Sequence, residues 1–275
     1  MPARVRLAVS EASYLKPLLR GLDSSESPFD LSFDLPAVNS IRLNERTDNT
    51  RCAFLSPIDF ARYGGLYRIV PHVCVASHRP TNTISLTIKP EVRNIQRVAV
   101  DVRVTSEIVL AKIILAERFM NAPGHSSELE FVPMIPNLES MLQKTDAALI
   151  VNLAPTKPSP ASYTLDLVEE WSDMTGLPYV HGFWVAREDD LEGSEIVSLI
   201  SARDRGLESL DSIAEEVSAR QHLSFQECRE YLASFTFDFG QDVSDSLAEF
   251  IQYAYLHTVI SDAPEAQFFD VPKLN

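Results

Sequence analysis

Three times along this chain an apolar strand runs into a small hydroxyl residue and then into a helix. Arg4-Val-Arg-Leu-Ala-Val9 ends at Ser10, Arg51-Cys-Ala-Phe-Leu55 ends at Ser56, and Arg97-Val-Ala-Val-Asp101 leads to Thr105-Ser106. Strands that alternate with helices favour a mainly parallel sheet, so the fold class is α/β. Each helix start presents unpaired backbone N–H groups and the positive end of the helix dipole. Ser and Thr cap one of those donors, and two such junctions facing one cleft make a pocket for a carboxylate or phosphate. The expected ligand is a small anionic substrate held mostly by backbone and hydroxyl groups.

A formal net charge of -15 argues against nucleic acid and against an anionic membrane surface as partners. It does not oppose a small anion, because local donors outweigh the global field over a few ångströms. With 9 Gly against 17 Pro, a glycine-rich phosphate loop is not expected. Cys52, Cys74 and Cys228 show no CxxC spacing and read as buried free thiols. His72, His78, His125, His181, His222 and His257 lack metal-ligand spacing, so no metal is expected. Of these, His78 is singled out as a candidate acid or base. No apolar run approaches membrane-spanning length and the start carries no apolar signal segment, which makes the cytoplasm the expected location. Nothing in the pattern sets the oligomeric state.

Apolar periodicity predicts strands at 4–9, 29–35, 51–55, 67–75, 83–88, 97–101, 129–132, 147–151 and 179–187. Helices are expected around 15–22, 57–62, 106–119, 138–144 and 165–175, with Gly64-Gly65 stopping the second. From Gly193 to Leu256 the signal is almost all helical, and Ser224-Phe-Gln-Glu227 reads as a capping box. Asn152–Ser162, with Pro155, Pro158 and Pro160, is a loop at a strand end, where open α/β sheets place ligands. One economical arrangement returns the helical tail to the first lobe. Residues 1–89 with 185–275 then form one lobe and 90–184 the other, with the ligand in the cleft between them.

The segment Asp166-Leu-Val-Glu-Glu-Trp-Ser-Asp-Met-Thr-Gly-Leu-Pro-Tyr-Val-His-Gly-Phe-Trp-Val-Ala-Arg187 resembles a signature of the chorismate dehydratases of futalosine-route menaquinone biosynthesis. Tyr67-Arg-Ile-Val-Pro71 with Val75-Ala-Ser77, Val98-Ala-Val-Asp101 with Thr105-Ser106, and Asp146-Ala-Ala-Leu-Ile150 resemble further family stretches, in order. The resemblance implies a type II periplasmic-binding-protein-like fold. It also implies dehydration of chorismate to 3-[(1-carboxyvinyl)oxy]benzoate by a lyase that needs no cofactor. The alternative is a paralogue that uses the cleft as another lyase, or as a binder of a small carboxylate.

The first family motif, with an active-site Asn, is replaced here by Val9-Ser-Glu-Ala-Ser-Tyr-Leu-Lys-Pro-Leu18, one residue longer and without the Asn. Glu11 and Tyr14 occupy that region and are the catalytic candidates, Glu11 for proton transfer and Tyr14 as a hydrogen-bond donor. Ser10, Ser13, Ser56, Thr83, Arg103, Thr105, Ser106 and Asn152 are the candidate substrate-binding residues. Arg103 and Arg79 are suited to pairing with a carboxylate. Trp171 and Trp184 read as core.

Overall fold

The computed structural model describes residues 4–271 apart from 23, 25–26, 64, 121–128 and 157–162. Gly64, His125, Pro158 and Pro160 therefore lie outside the described residues. One sheet contains β1 (Val5–Val9), β2 (Phe29–Phe33), β3 (Thr50–Leu55), β4 (Arg68–Ser77) and β10 (Tyr179–Ala186), in the order β2-β1-β3-β10-β4. The other contains β5 (Ile84–Ile88), β6 (Arg97–Asp101), β7 (Glu130–Met134), β8 (Ala147–Val151) and β9 (Tyr163–Asp166), in the order β7-β6-β8-β5-β9. β1 runs parallel to β2 and β3, and β6 parallel to β7 and β8; β10 and β5 are antiparallel to their neighbours. Val5, Leu7, Ala8 and Val9 are all fully buried, as a strand covered on both faces requires.

The sheets are covered by α1 (Lys16–Leu19), α2 (Pro36–Glu45), α3 (Pro57–Ala61), α4 (Ser106–Ile114), α5 (Leu138–Lys144) and α6 (Leu167–Thr175). The tail forms α7 (Gly193–Glu208), α8 (Leu210–Gln221), α9 (Phe225–Ala233) and α10 (Gln241–Leu256). It returns to the first sheet as expected, with α7 against α1 and β4, and α10 against α3 and β10. The fit of α7 on α1 needs Gly206, where a Cβ would stand 1.7 Å from the Pro17 carbonyl oxygen. The three cysteines are free and buried.

The sheets do not follow the expected divisions at 89/90 and 184/185. β5 pairs with β8 and β9 in the second sheet rather than belonging to a first lobe that runs to residue 89. β10 lies wholly in the first sheet, although the expected division at 184/185 cuts it. Ile84 and Leu86 fit a buried strand in either sheet; the ladder that accepts β5 is decided by partners far away in sequence. Helix α2, not foreseen, starts on Pro36 and ends at Arg46 in the left-handed region, with φ 55°. Helix α4 stops at Ile114 and continues in wider π-type turns from Leu115 to Met120.

Asp166 ties the first crossing to the start of α6. Its Oδ1 caps α6 by accepting from Val168 N at 2.9 Å, while its Oδ2 accepts from Thr81 N at 2.8 Å and Asn82 N at 2.6 Å. At the other end of α6, Gly176 takes φ 73°, the left-handed conformation that glycine adopts without strain. Trp171 on α6 is fully buried, and its Nε1 donates to Ser246 Oγ on α10 at 3.1 Å, which fastens the tail to α6.

Candidate functional site

The strand-to-helix junctions of the two sheets meet face to face. Ser13 N donates to Leu153 O at 2.6 Å, joining the loop after β1 to the loop after β8. Thr105 Oγ1 donates to the Asp59 carboxylate at 3.3 and 3.2 Å, joining the start of α4 to α3. Asp59 stands at that place because Ser56 caps α3 and Pro57 begins it, which sets the Asp59 N–H against Ser56 Oγ at 3.3 Å. Ser56 Oγ in turn donates to Asp59 Oδ2 at 2.7 Å. Burial raises the Asp59 pKa, opposed by Ser56, Arg62 and Thr105. Two hydroxyls expected to meet a ligand, Ser56 and Thr105, are thus engaged by a carboxylate of the protein.

Arg103 is also turned inward. Its Nε and Nη2 grip Asp101 at 2.9 and 2.6 Å, and that carboxylate has no exposed surface. Thr83 is buried with its Oγ1 2.5 Å from Thr81 Oγ1, and Asn152 Nδ2 donates to Asn82 O at 2.7 Å. Both therefore brace the first crossing. Ser10 and Ser13 are buried at the end of β1. Glu11 is exposed and lines an outer pocket, and His78 and Arg79 are exposed on the crossing.

Beside these junctions lies a cluster of aromatic rings. The Tyr14 ring centre is 5.4 Å from His181 and 5.4 Å from Phe235. His181 is 5.0 Å from Tyr179, and Tyr231 is 5.1 Å from Phe235. His181 Nε2 and Tyr231 OH are buried here without a hydrogen-bond partner, and the buried Ser106 hydroxyl pairs with Tyr179. An unpaired buried polar atom is costly, and these two are available to pair with a polar ligand.

The same setting moves the titrations. Burial holds His181 neutral, with its pKa pushed down to about 3. Tyr14 is raised by burial and then by the charge of Glu107, and Tyr231 by burial and then by Tyr14. Glu107 keeps some accessible surface, yet burial, with Asp59 and Asp101 nearby, carries its pKa up to about 7. The arrangement supplies neutral hydrogen-bonding groups, aromatic walls and one carboxyl able to take or give a proton near neutrality.

Asp59, Glu107, His181 and Tyr179 escaped the sequence reading. Asp59 occupies the capping-box position three residues after Ser56, and Glu107 follows the Thr105-Ser106 pair directly, so both carried a legible signal. His181 sits within the recognised 166–187 segment, but only tertiary packing sets it against Tyr14. Among the described residues, no group of His, Cys, Asp and Glu could hold a metal ion, and no helix is long and apolar enough to cross a membrane.

Two mixed sheets joined by two crossings, with polar junctions facing each other between them, define the class of periplasmic-binding-protein-like folds. Solved structures share it. AF1704 from Archaeoglobus fulgidus matches with TM-score 0.72 and 16% identity over 94% of this chain and 99% of its own. The CA3427 product of Candida albicans, described as having the generic periplasmic binding protein fold, matches with TM-score 0.61 and 12% identity over 98% and 99%. The alkanesulfonate-binding protein SsuA of Xanthomonas axonopodis pv. citri, bound to MOPS, matches with TM-score 0.59 and 12% identity over 96% of each chain. A sequence model of the menaquinone biosynthesis family matches residues 5–256, and the chain belongs to that family.

Proposed function

We propose that this protein performs the chorismate dehydratase step of menaquinone biosynthesis, converting chorismate to 3-[(1-carboxyvinyl)oxy]benzoate and water in the cytoplasm. The observation that carries this reading is the aromatic cluster around Tyr14, where His181 and Tyr231 keep unpaired buried polar atoms and Glu107 has a raised carboxyl, in a chain of the menaquinone biosynthesis family. We assign residues 4–77 with 179–271 to one lobe and 84–175 to the other, hinged at the two intervening crossings. The lobes part to admit substrate and close through the Ser13–Leu153 and Thr105–Asp59 contacts.

The reaction removes a ring hydroxyl and a hydrogen from the neighbouring carbon, and aromatisation drives it. Orientation and the movement of one proton are what the protein must supply. In this proposal Glu107, as the carboxylate, takes the ring proton and returns it to the departing hydroxyl, which leaves as water. Ser106 and Tyr231 donate to substrate oxygens, and neutral His181 accepts from a hydroxyl. No cofactor enters this scheme. Glu11, exposed and outside this cluster, has no part in it.

A second reading has its own support. Asp59, Asp101 and Glu107 gather three carboxylates at the junction, against Arg62 and Arg103, each already paired. That balance suits a ligand with less negative charge than chorismate, bound as in the sulfonate-binding relatives or turned over by a different lyase. Incubating the purified protein with chorismate and separating the aromatic product by chromatography tests both readings. Product from the wild type, reduced in Glu107→Gln, supports the dehydratase. Thermal stabilisation by a small carboxylate without any product from chorismate supports the second reading.

A further inference from the structure

Glu11, the sharpest departure in the first motif, opens onto a separate pocket of about 470 Å³. That volume lies within the range typical of small-molecule sites. Tyr14, His181, Ser106 and Glu107 do not line it. Ser13 and Leu153, joined across the lobes by their backbone hydrogen bond, both do. One wall therefore comes from the loop after β1 and the helices α1 and α8, and the other from Leu153 and Ala154 after β8 in the second lobe.

The pocket is two-faced. Leu19, Leu31 and Leu153 are partly buried hydrophobic residues on the edge of the core, and Phe33 stands 46% exposed at the rim. The same lining holds three cations that share one carboxylate: Lys16, Arg20 and Arg220 lie 2.6, 3.4 and 3.3 Å from Glu216. The Lys16 hydrogen bond, followed by the other cations, holds the Glu216 pKa low, so it stays ionised. Counting Glu11, the lining carries three positive and two negative side chains, a net charge of one positive. In a chain of net charge -15, that is a local reversal of sign. Arg20 and Arg220 keep much of their surface free, at 41% and 68% of the side chain, and so retain donors for a further acceptor.

We propose that this pocket is a second binding site, for a small amphipathic anion with a single carboxylate or sulfonate on an apolar body. The anionic end meets Arg20 and Arg220, and the apolar body lies on Leu31, Phe33 and Leu153. Because Leu153 and Ala154 belong to the other lobe, an occupant bridges the lobes and favours the closed arrangement. The ligand therefore couples to the inner site without touching it.

The test is isothermal titration of the full chain with octanoate, and with octanol as the uncharged comparison. Octanoate is expected to bind about tenfold or more tightly than octanol, as a charge-assisted contact requires. Arg20→Met with Arg220→Met is expected to lose that advantage. Ala154→Trp, which fills the pocket from the second lobe, is expected to abolish binding. Melting temperature and circular dichroism identify any variant that fails to fold. If Ala154→Trp misfolds, Glu11→Gln replaces it as the second variant and is expected to strengthen octanoate binding by removing a negative charge from the rim. The proposal is overturned if octanoate does not bind. It is equally overturned if folded double-Met protein binds octanoate as the wild type does, or if saturating chorismate competes it away directly, which would put the anion in the inner site.

Discussion

Thr105 Oγ1 lies 3.3 and 3.2 Å from the two carboxylate oxygens of Asp59, and this pair joins the two lobes through side chains at the candidate site. Asp59 is 2% exposed, so the contact is made away from bulk water. Its Ser56 partner holds the carboxylate in place from the opposite side, at 2.7 Å. A double-mutant cycle of Thr105→Val and Asp59→Asn, followed by urea unfolding, is expected to give a coupling of about 1 kcal/mol. A coupling near zero would show that the two groups are not paired in solution.

Glu107 and His181 are expected to tilt the pH–stability profile in opposite directions. Glu107 has its carboxyl raised from 4.5 to about 7, so the folded protein binds that proton more tightly than the unfolded chain does. The stability from this group is fully present below pH 4.5 and is lost as the pH rises through 7. Glu107→Gln is therefore expected to gain on the wild type over that window, by at most about 3 kcal/mol above pH 7. A constant difference from pH 4 to pH 8 would remove the perturbed carboxyl from the site.

For His181 the direction reverses. Burial lowers its pKa from 6.5 to about 3, so folding requires the neutral ring, and stability is lost as the pH falls below 6.5. His181→Phe keeps a ring in the Tyr14–Phe235 cluster and is expected to gain on the wild type by about 2–3 kcal/mol between pH 6.5 and 4.5. Denaturant midpoints at half-unit pH steps check the sign, and chemical shifts of the ring protons check the titration directly.

Ser106→Ala removes a buried hydroxyl that pairs with Tyr179. Its stability is expected to fall by about 1 kcal/mol, as the loss of one buried hydrogen bond with Tyr179 requires. Product formation from chorismate is expected to fall in the same variant. Loss of stability with unaltered turnover would mean that the hydroxyl serves the fold alone.

Arg103→Ala leaves the Asp101 carboxylate buried without its cation, held by the backbone N–H of residue 103. The expected loss is about 1–3 kcal/mol, discounted because the arginine side chain is itself 39% exposed. Asp101→Asn in the Arg103→Ala background is expected to restore part of it. Thermal unfolding of the three proteins distinguishes a brace for β6 from a ligand-binding arginine, whose removal would leave stability unchanged.

Local pattern carried much of the architecture. Alternation and β-branched runs marked most of the strands. Ser56-Pro57 and Ser224-Phe-Gln-Glu227 gave helix starts that the structure reproduces as caps. The structured boundary of α6 was less visible, because Leu165 and Asp166 suit a strand end and a helix start equally well. Asp166 settles it by capping the helix with one oxygen and holding the first crossing with the other. That second role depends on residues more than eighty positions away.

By itself the sequence determined an α/β chain with three hydroxyl-bearing strand-to-helix junctions, free buried cysteines and a helical tail, since these follow from near-neighbour chemistry along the chain. Only the tertiary structure decided that β5 joins the second sheet and that Asp59 engages Ser56 and Thr105. It alone set Arg103 on Asp101, and His181 and Tyr231 with unpaired polar atoms in the cluster of Tyr14 and Phe235. Desolvation and hydrogen-bond pairing depend on which distant segments pack together, and that information lies in the fold rather than in any window of the sequence.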